Sequence, residues 1–198
     1  MVRPACFAVL LVVCAAAEVA AALPEPHAAA PEIGQELIGT RVPEWTLTDW
    51  QNSPPLSLEG LRGNVVLVRW WTAPSCPYCA ASADALSHFA ETYRNQGLVV
   101  IGAYHHKAAS PLTPEHVKAQ AERLGFQFPV AIDRDWQTLH RWWLDRTQRG
   151  WTSVTFLIGR DGTAQHIHGG GAYYEGEPGY AALEGAIQKA LAAPIPAL

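Results

Sequence analysis

One stretch constrains this chain more than any other: an apolar strand that runs directly into a Cys-x-x-Cys pair. Val65-Val66-Leu67-Val68-Arg69-Trp70-Trp71 is almost continuous in β-branched and aromatic residues, the pattern of a strand covered on both faces. Thr72-Ala73-Pro74-Ser75 reads as a turn, Cys76-Pro77-Tyr78-Cys79 follows, and Ala80 to Ala90 reads as helix. The first cysteine then falls at a helix N-terminus, where unpaired N–H groups and the helix dipole favour an anion, and a thiolate is an anion. The Cys76 pKa is expected to fall from ~8.5 toward roughly 3.5–7.5. Cys79, one turn further in and more buried, is expected to attack a mixed disulfide at Cys76 and release product. Pro77 suits the first helical turn, where its missing N–H is not needed.

The remaining cysteines bear on compartment. Of four in the 198-residue chain, Cys6 and Cys14 lie in a stretch that reads as an export signal. Arg3 supplies the positive start, Cys6 to Ala17 the apolar run, and Ala20-Ala21-Ala22 a small-residue cleavage site, giving a signal peptide over 1–22 and a mature start at Leu23. An uncleaved anchor and a lipid-modified Cys14 are the alternatives; Glu18 weighs against the first, and bulky Val13 against the second. The exported part then keeps only Cys76 and Cys79, and so close a pair stabilises little by loop closure. The pair reads as chemical rather than structural, with half of a zinc site as its competitor. The formal charge of −4 and the absence of a basic block argue against nucleic acid or an anionic membrane as partner.

Residues 23–34, rich in Pro and Ala, read as a linker, and 35–198 as one domain. Trp45–Trp50 and Leu56-Ser57-Leu58, separated by Asn52-Ser53-Pro54-Pro55, predict an N-terminal β-hairpin. The helix behind Cys79 is expected to reach about Arg94, with Ala85, Phe89 and Tyr93 on one face. Leu98–Tyr104 predicts a second strand, and Thr113-Pro114 a helix start. Phe128–Ile132 predicts a short strand and Asp135–Leu144 a helix. Val154–Ile158 and Thr163–His168 predict a hairpin turning at Arg160-Asp161-Gly162, and Tyr180–Ala192 a terminal amphipathic helix. This order implies an α/β fold: a mixed central sheet flanked by helices on both sides.

Val-Leu-Val-x-Trp-Trp-Thr before Cys-Pro-Tyr-Cys, followed by Thr-Phe-Leu-Ile-x-Arg-Asp-Gly, resembles the TlpA/ResA group of exported thioredoxin-like disulfide reductases, or redoxins, over about residues 35–192. The resemblance implies a thioredoxin-like fold with an N-terminal β-hairpin and a central α/β insertion, in a periplasmic or otherwise extracytoplasmic setting. Three departures stand out. Ser153 occupies the position where such proteins carry a cis-proline; a cis bond before Ser costs about 2.5–4 kcal/mol, so a trans bond is expected. Arg69 or Trp70 occupies the slot of a buried Asp proton relay. The turn before the cysteines is about one residue longer.

Parallel neighbouring strands end at the same sheet edge, so His105 and His106 are expected near Cys76. One of them is a candidate proton relay, or with the cysteines a copper or zinc ligand, although adjacent residues point opposite ways and only one can face the site. The ordinary alternative is a solvated loop entrance. His166 and His168 share one face of the last strand and read as a polar strand face. Of the eight tryptophans, Trp70 and Trp71 read as core, Trp142 and Trp143 as helix packing, and Trp151 as a peptide-facing wall. Ser153, Trp151, Pro77 and Tyr78 are the residues expected to shape a docking groove. The expected activity is thiol–disulfide exchange by a monomer, with cysteine-containing exported proteins and an upstream electron donor as partners. No organic cofactor or metal is expected, because the pair itself carries the electrons. A thiol peroxidase and a Cys/His metal-binding chaperone of the same fold are the alternatives. Thr72 lies four residues ahead of Cys76 and Pro74 two ahead, whereas peroxide-reducing relatives of this fold place the Thr three ahead.

Overall fold

Strand β2 (Val65–Trp71) is buried along its whole length, as its unbroken apolar sequence requires. The computed structural model describes residues 33–73, 75–146 and 150–195. The signal peptide over 1–22, nearly all of the 23–34 linker and Pro74 lie outside those residues. Strand β3 (Leu98–Tyr104) runs parallel to β2 in full register, Val65 opposite Leu98 through Trp71 opposite Tyr104. Short β4 (Val130–Ile132) continues the parallel set beside β3. On the other side, β5 (Thr155–Ile158) pairs antiparallel with β2, and β6 (Ala164–His168) with β5. With β1 (Thr48–Gln51) at the far edge, the six-stranded order is β1-β4-β3-β2-β5-β6.

Both faces are covered. Alternate residues Val65, Leu67 and Trp71 of β2 pack with Leu86, Phe89, Val117, Leu183 and Ile187 from helices α2 (Ala83–Tyr93), α3 (Pro114–Arg123) and α5 (Pro178–Ala192). Val66, Val68 and Trp70 face the other way, toward Trp45, Leu58, Leu139, Trp142 and Trp143. The local chemistry that predicted α3 is present, since Thr113 accepts from the His116 N–H at 3.1 Å and Pro114 takes the first position. A 3-10 turn, Arg94–Gln96, follows α2, and Gly97, at φ 98°, makes the left-handed exit from it into β3.

Two expectations are corrected. The N-terminal hairpin is absent: β1 pairs with β4, and 56–58 forms no strand. Pro54 and Pro55 can donate no ladder hydrogen bond, and side chains take over the segment. The Trp45 Nε1 donates to the Leu56 carbonyl at 2.8 Å, and the Leu58 N–H donates to the Glu44 carboxylate at 2.9 Å. Asn52 donates to the Phe126 and Phe128 carbonyls, so the chain is fixed beside the loop that enters β4 rather than to itself. The helix expected over Asp135–Leu144 is broken: a 3-10 turn at Arg134–Trp136, a short α4 (Gln137–Leu139), then a π-helical stretch over His140–Leu144. Asp135 and Trp136 take positive φ of 53° and 58°. Asp133 holds this turn, accepting from the Trp70 indole at 2.9 Å and from the N–H groups of Thr138 and Leu139 at 2.9 and 2.8 Å.

Candidate active site

The chain passes from β2 into helix α1 (Pro77–Ala81) with Cys76 as the N-cap residue, in extended backbone (φ −78°, ψ 112°). Its Sγ accepts from the Cys79 N–H at 3.4 Å, so the sulfur occupies the place of a capping oxygen. Cys76 is half-buried, Cys79 is buried, and both are free thiols. Their acidities separate. The hydrogen bond from the Cys79 thiol, aided by the N–H groups of Cys79 and Tyr78 and by the Ser153 hydroxyl, brings Cys76 from 9.0 to about 5 against the opposing effect of burial. Cys79 is pushed up, first by donating to Cys76 and then by burial, with the Thr72 N–H and the Arg69 charge acting the other way. A thiol pair so divided has one nucleophile at neutral pH, the outer one.

Ser153 is buried opposite Cys76, and the Thr152–Ser153 bond is trans, the described residues containing no cis peptide. Trp151 is 48% exposed and meets Tyr78 edge-on, the ring centres 6.2 Å apart. Pro77, Tyr78 and Trp151 thus border the exposed side of the pair. Lys107 reaches the same loop, its Nζ donating to the Thr152 hydroxyl at 2.6 Å.

The histidines are not brought to the sulfurs. His105 is fully buried against Trp136, ring centres 5.3 Å apart, with no hydrogen-bond partner for either ring nitrogen. Burial first, then the Lys107 charge, hold its pKa down to about 3. A base that weak takes no thiol proton at neutral pH, so the relay expected of His105 fails on basicity as well as on position. His106 bonds the Tyr104 hydroxyl at 3.1 Å and the Ser110 carbonyl at 2.6 Å. Among the described residues no cluster of three or more His, Cys, Asp or Glu side chains is placed to hold a metal ion. His168, held at about 4 chiefly by burial, lies edge-on against Tyr173, and His166 is half-buried beside it.

Of the two candidates for the slot beneath the pair, Trp70 faces away into the opposite core and Arg69 occupies it. The sequence reading treated Arg69 only as an occupant of that slot; a single charge inside an apolar strand was the signal that marked it. Tyr173 and the Thr72 N–H were missed, because both reach Cys79 through tertiary contacts.

A parallel β-α-β core extended by an antiparallel hairpin, with Cys-x-x-Cys at the first helix N-terminus, defines a thioredoxin-like protein. Residues 38–167 match the AhpC/TSA family model, and the chain belongs to that family. It is 34% identical over 131 residues to Protein DipZ of Mycobacterium tuberculosis (strain CDC 1551 / Oshkosh), a match that takes in 65% of this chain and 18% of DipZ. The chain thus spans less than a fifth of that relative. Over 130 residues it is 27% identical to the thiol-disulfide oxidoreductase ResA of Geobacillus kaustophilus, covering 66% of this chain and 68% of ResA. The fold is shared with a thiol:disulfide interchange protein of the thioredoxin family from Chlorobium tepidum TLS, at TM-score 0.56 and 20% identity, over 77% of this chain and 96% of the other.

Proposed function

We propose that this protein is an extracytoplasmic thiol–disulfide oxidoreductase in which Cys76 attacks a protein disulfide and Cys79 resolves the mixed disulfide. The observation that carries this reading is the asymmetry of the pair: an accessible Cys76 with pKa about 5 beside a buried Cys79 whose thiol is held protonated. Attack by the Cys76 thiolate breaks the substrate disulfide and joins one sulfur to Cys76; Cys79 then attacks Cys76 Sγ, releases the second substrate thiol and leaves Cys76–Cys79 as the disulfide. Ser153, Trp151, Pro77 and Tyr78 border the groove in which the partner chain lies. The partners are cysteine-containing exported proteins and an upstream electron donor, and the pair needs no organic cofactor or metal. The export signal read over residues 1–22 supports the compartment, and the ResA name supports the chemistry.

A peroxidase is the second reading, favoured by the family match and by a relative from Haemophilus influenzae with a peroxiredoxin name, 26% identical over 137 residues. Against it, Thr72 stands four residues before Cys76 and Pro74 two before, not the Thr three residues ahead of the reactive Cys that peroxide-reducing relatives of this fold use. Reduction of insulin disulfides separates the readings: Cys76→Ser should abolish it, while Cys79→Ser should accumulate a mixed disulfide on Cys76. Equal residual activity in the two variants, or peroxide consumption with a thiol donor that outpaces disulfide reduction, would overturn the proposal.

A further inference from the structure

Arg69 is the one charged residue in β2, and it is 1% exposed. Strand alternation places it with Leu67 and Trp71 on the face that packs against Cys79 and Tyr173. Its guanidinium is held by neutral groups. Nη1 donates to the Ser153 carbonyl at 2.6 Å and the Thr155 hydroxyl at 3.2 Å, Nη2 to the Gly171 carbonyl at 2.7 Å, and the central carbon lies 5.1 Å from the Tyr173 ring centre. The Tyr173 N–H donates to Ser82 Oγ at 3.1 Å, tying this cluster to the helix junction three residues beyond Cys79. Among the described residues no carboxylate lies within ion-pair distance of Arg69, and its Nε has no hydrogen-bond partner.

A guanidinium cannot shed its proton, and a buried cation without an anion carries a heavy desolvation penalty. The site must therefore supply an anion or bear that penalty at rest. The groups that act on Cys79 are Cys76 at the N-cap of α1, the Thr72 N–H just after β2, Tyr173 from the loop after β6, and Arg69. Those that feel Arg69 include His105 at the end of β3 and His168 on β6, both held neutral at neutral pH. At rest the anion of the reduced pair is the outer Cys76 thiolate; during turnover that charge is lost in the mixed disulfide, and the anion that then forms on the Arg69 side is the Cys79 thiolate. We propose that Arg69 is a positioning residue for Cys79, its buried and carboxylate-free guanidinium favouring the thiolate that closes the Cys76–Cys79 disulfide. The inference rests on the assignment of Cys76 as attacking and Cys79 as resolving cysteine.

The step balances without a further redox partner. With Cys76 engaged in a mixed disulfide, its negative charge is gone, and the strongest influence keeping Cys79 protonated goes with it. Cys79 releases its proton to solvent, its thiolate attacks Cys76 Sγ, the mixed S–S bond breaks, and the leaving thiolate carries the electron pair away and takes up a proton.

Dithiobis-nitrobenzoate separates the two steps in the reduced full chain, since attack by Cys76 releases one thionitrobenzoate and resolution by Cys79 a second. In Arg69→Met the first phase serves as the internal reference, because Arg69 also holds the Ser153 carbonyl beside Cys76, and the effect is read as the second-phase rate relative to it. The second should slow about tenfold at neutral pH, its pH midpoint rising by about one unit. Arg69→Lys, which keeps the charge, should recover most of that rate. A second-phase pH profile in Arg69→Met that superimposes on wild type would overturn the inference, as would Arg69→Lys behaving like Arg69→Met. If Arg69→Met does not fold, Cys76→Ser tests the same claim with Arg69 intact. Its Cys79 should titrate at or below the ordinary thiol value of ~8.5 despite burial, followed by thiolate absorbance, and a markedly higher value would contradict it. Failure of the underlying assignment shows separately, as one equivalent released by wild type or attack surviving in Cys76→Ser, and takes the inference with it.

Discussion

The indole Nε1 of Trp143 donates to the carbonyl oxygen of Trp151 at 2.8 Å. A fully buried tryptophan of the core thereby fixes the backbone of the exposed tryptophan beside the cysteines. Trp151 can present its ring to a partner chain because its main chain is anchored from behind, which lowers the ordering cost of an aromatic contact.

The first expectation concerns that ring. Trp151→Ala should raise KM for a protein disulfide several-fold, about 1 kcal/mol of lost contact, and leave the rate with a small aromatic disulfide within about twofold. Steady-state assays with both substrates check it. Equal loss on both substrates would place Trp151 in the chemistry rather than in docking.

Asp133 gives a stability expectation. Its carboxylate accepts from one indole and two backbone N–H groups, all buried. Asp133→Ala strands three donors and should cost about 3 kcal/mol or more, read as a shift in urea midpoint. Asp133→Asn keeps the shape and one acceptor oxygen and should cost less.

Buried histidines set a pH expectation. His105 and His168 are held at about 3 and about 4, below the ordinary value of 6.5. The unfolded chain therefore binds more protons than the folded one below pH 6.5. The contribution of these two histidines should be intact above pH 6.5 and be lost as pH drops through 6.5 toward these folded-state values, on top of the loss that the lowered Cys76 pKa brings between the ordinary thiol value and about 5. His105→Leu should flatten the fall below pH 6.5, as measured by urea midpoints at neutral and mildly acidic pH. A variant as acid-sensitive as wild type would remove His105 from the explanation.

What the sequence reveals here is chiefly what is local. The β2 and β3 strands, the Thr113 cap and Cys76 at a helix start all follow from neighbouring residues, and all are present. The pairing of β1 with β4 depends on contacts roughly eighty residues apart, between Thr48 and Ile132, and adjacent apolar runs wrongly suggest a hairpin. In a strand buried on both faces, period-two alternation carries no polar–apolar signal, so whether Arg69 or Trp70 faces the cysteines is legible only in three dimensions. The burial of His105 is hidden for the same reason: a histidine after a strand reads as a loop entrance, yet Trp136, held at a positive φ, covers it.

The division of the two thiols is the centre of this account, and alkylation of the reduced protein across pH measures it most directly. Iodoacetamide followed by peptide mass spectrometry should label Cys76 alone, half-maximally near pH 5 and at a constant rate above neutrality, while Cys79 stays unlabelled. A Cys76 midpoint near the ordinary thiol value, or labelling that reaches Cys79 first, would contradict it.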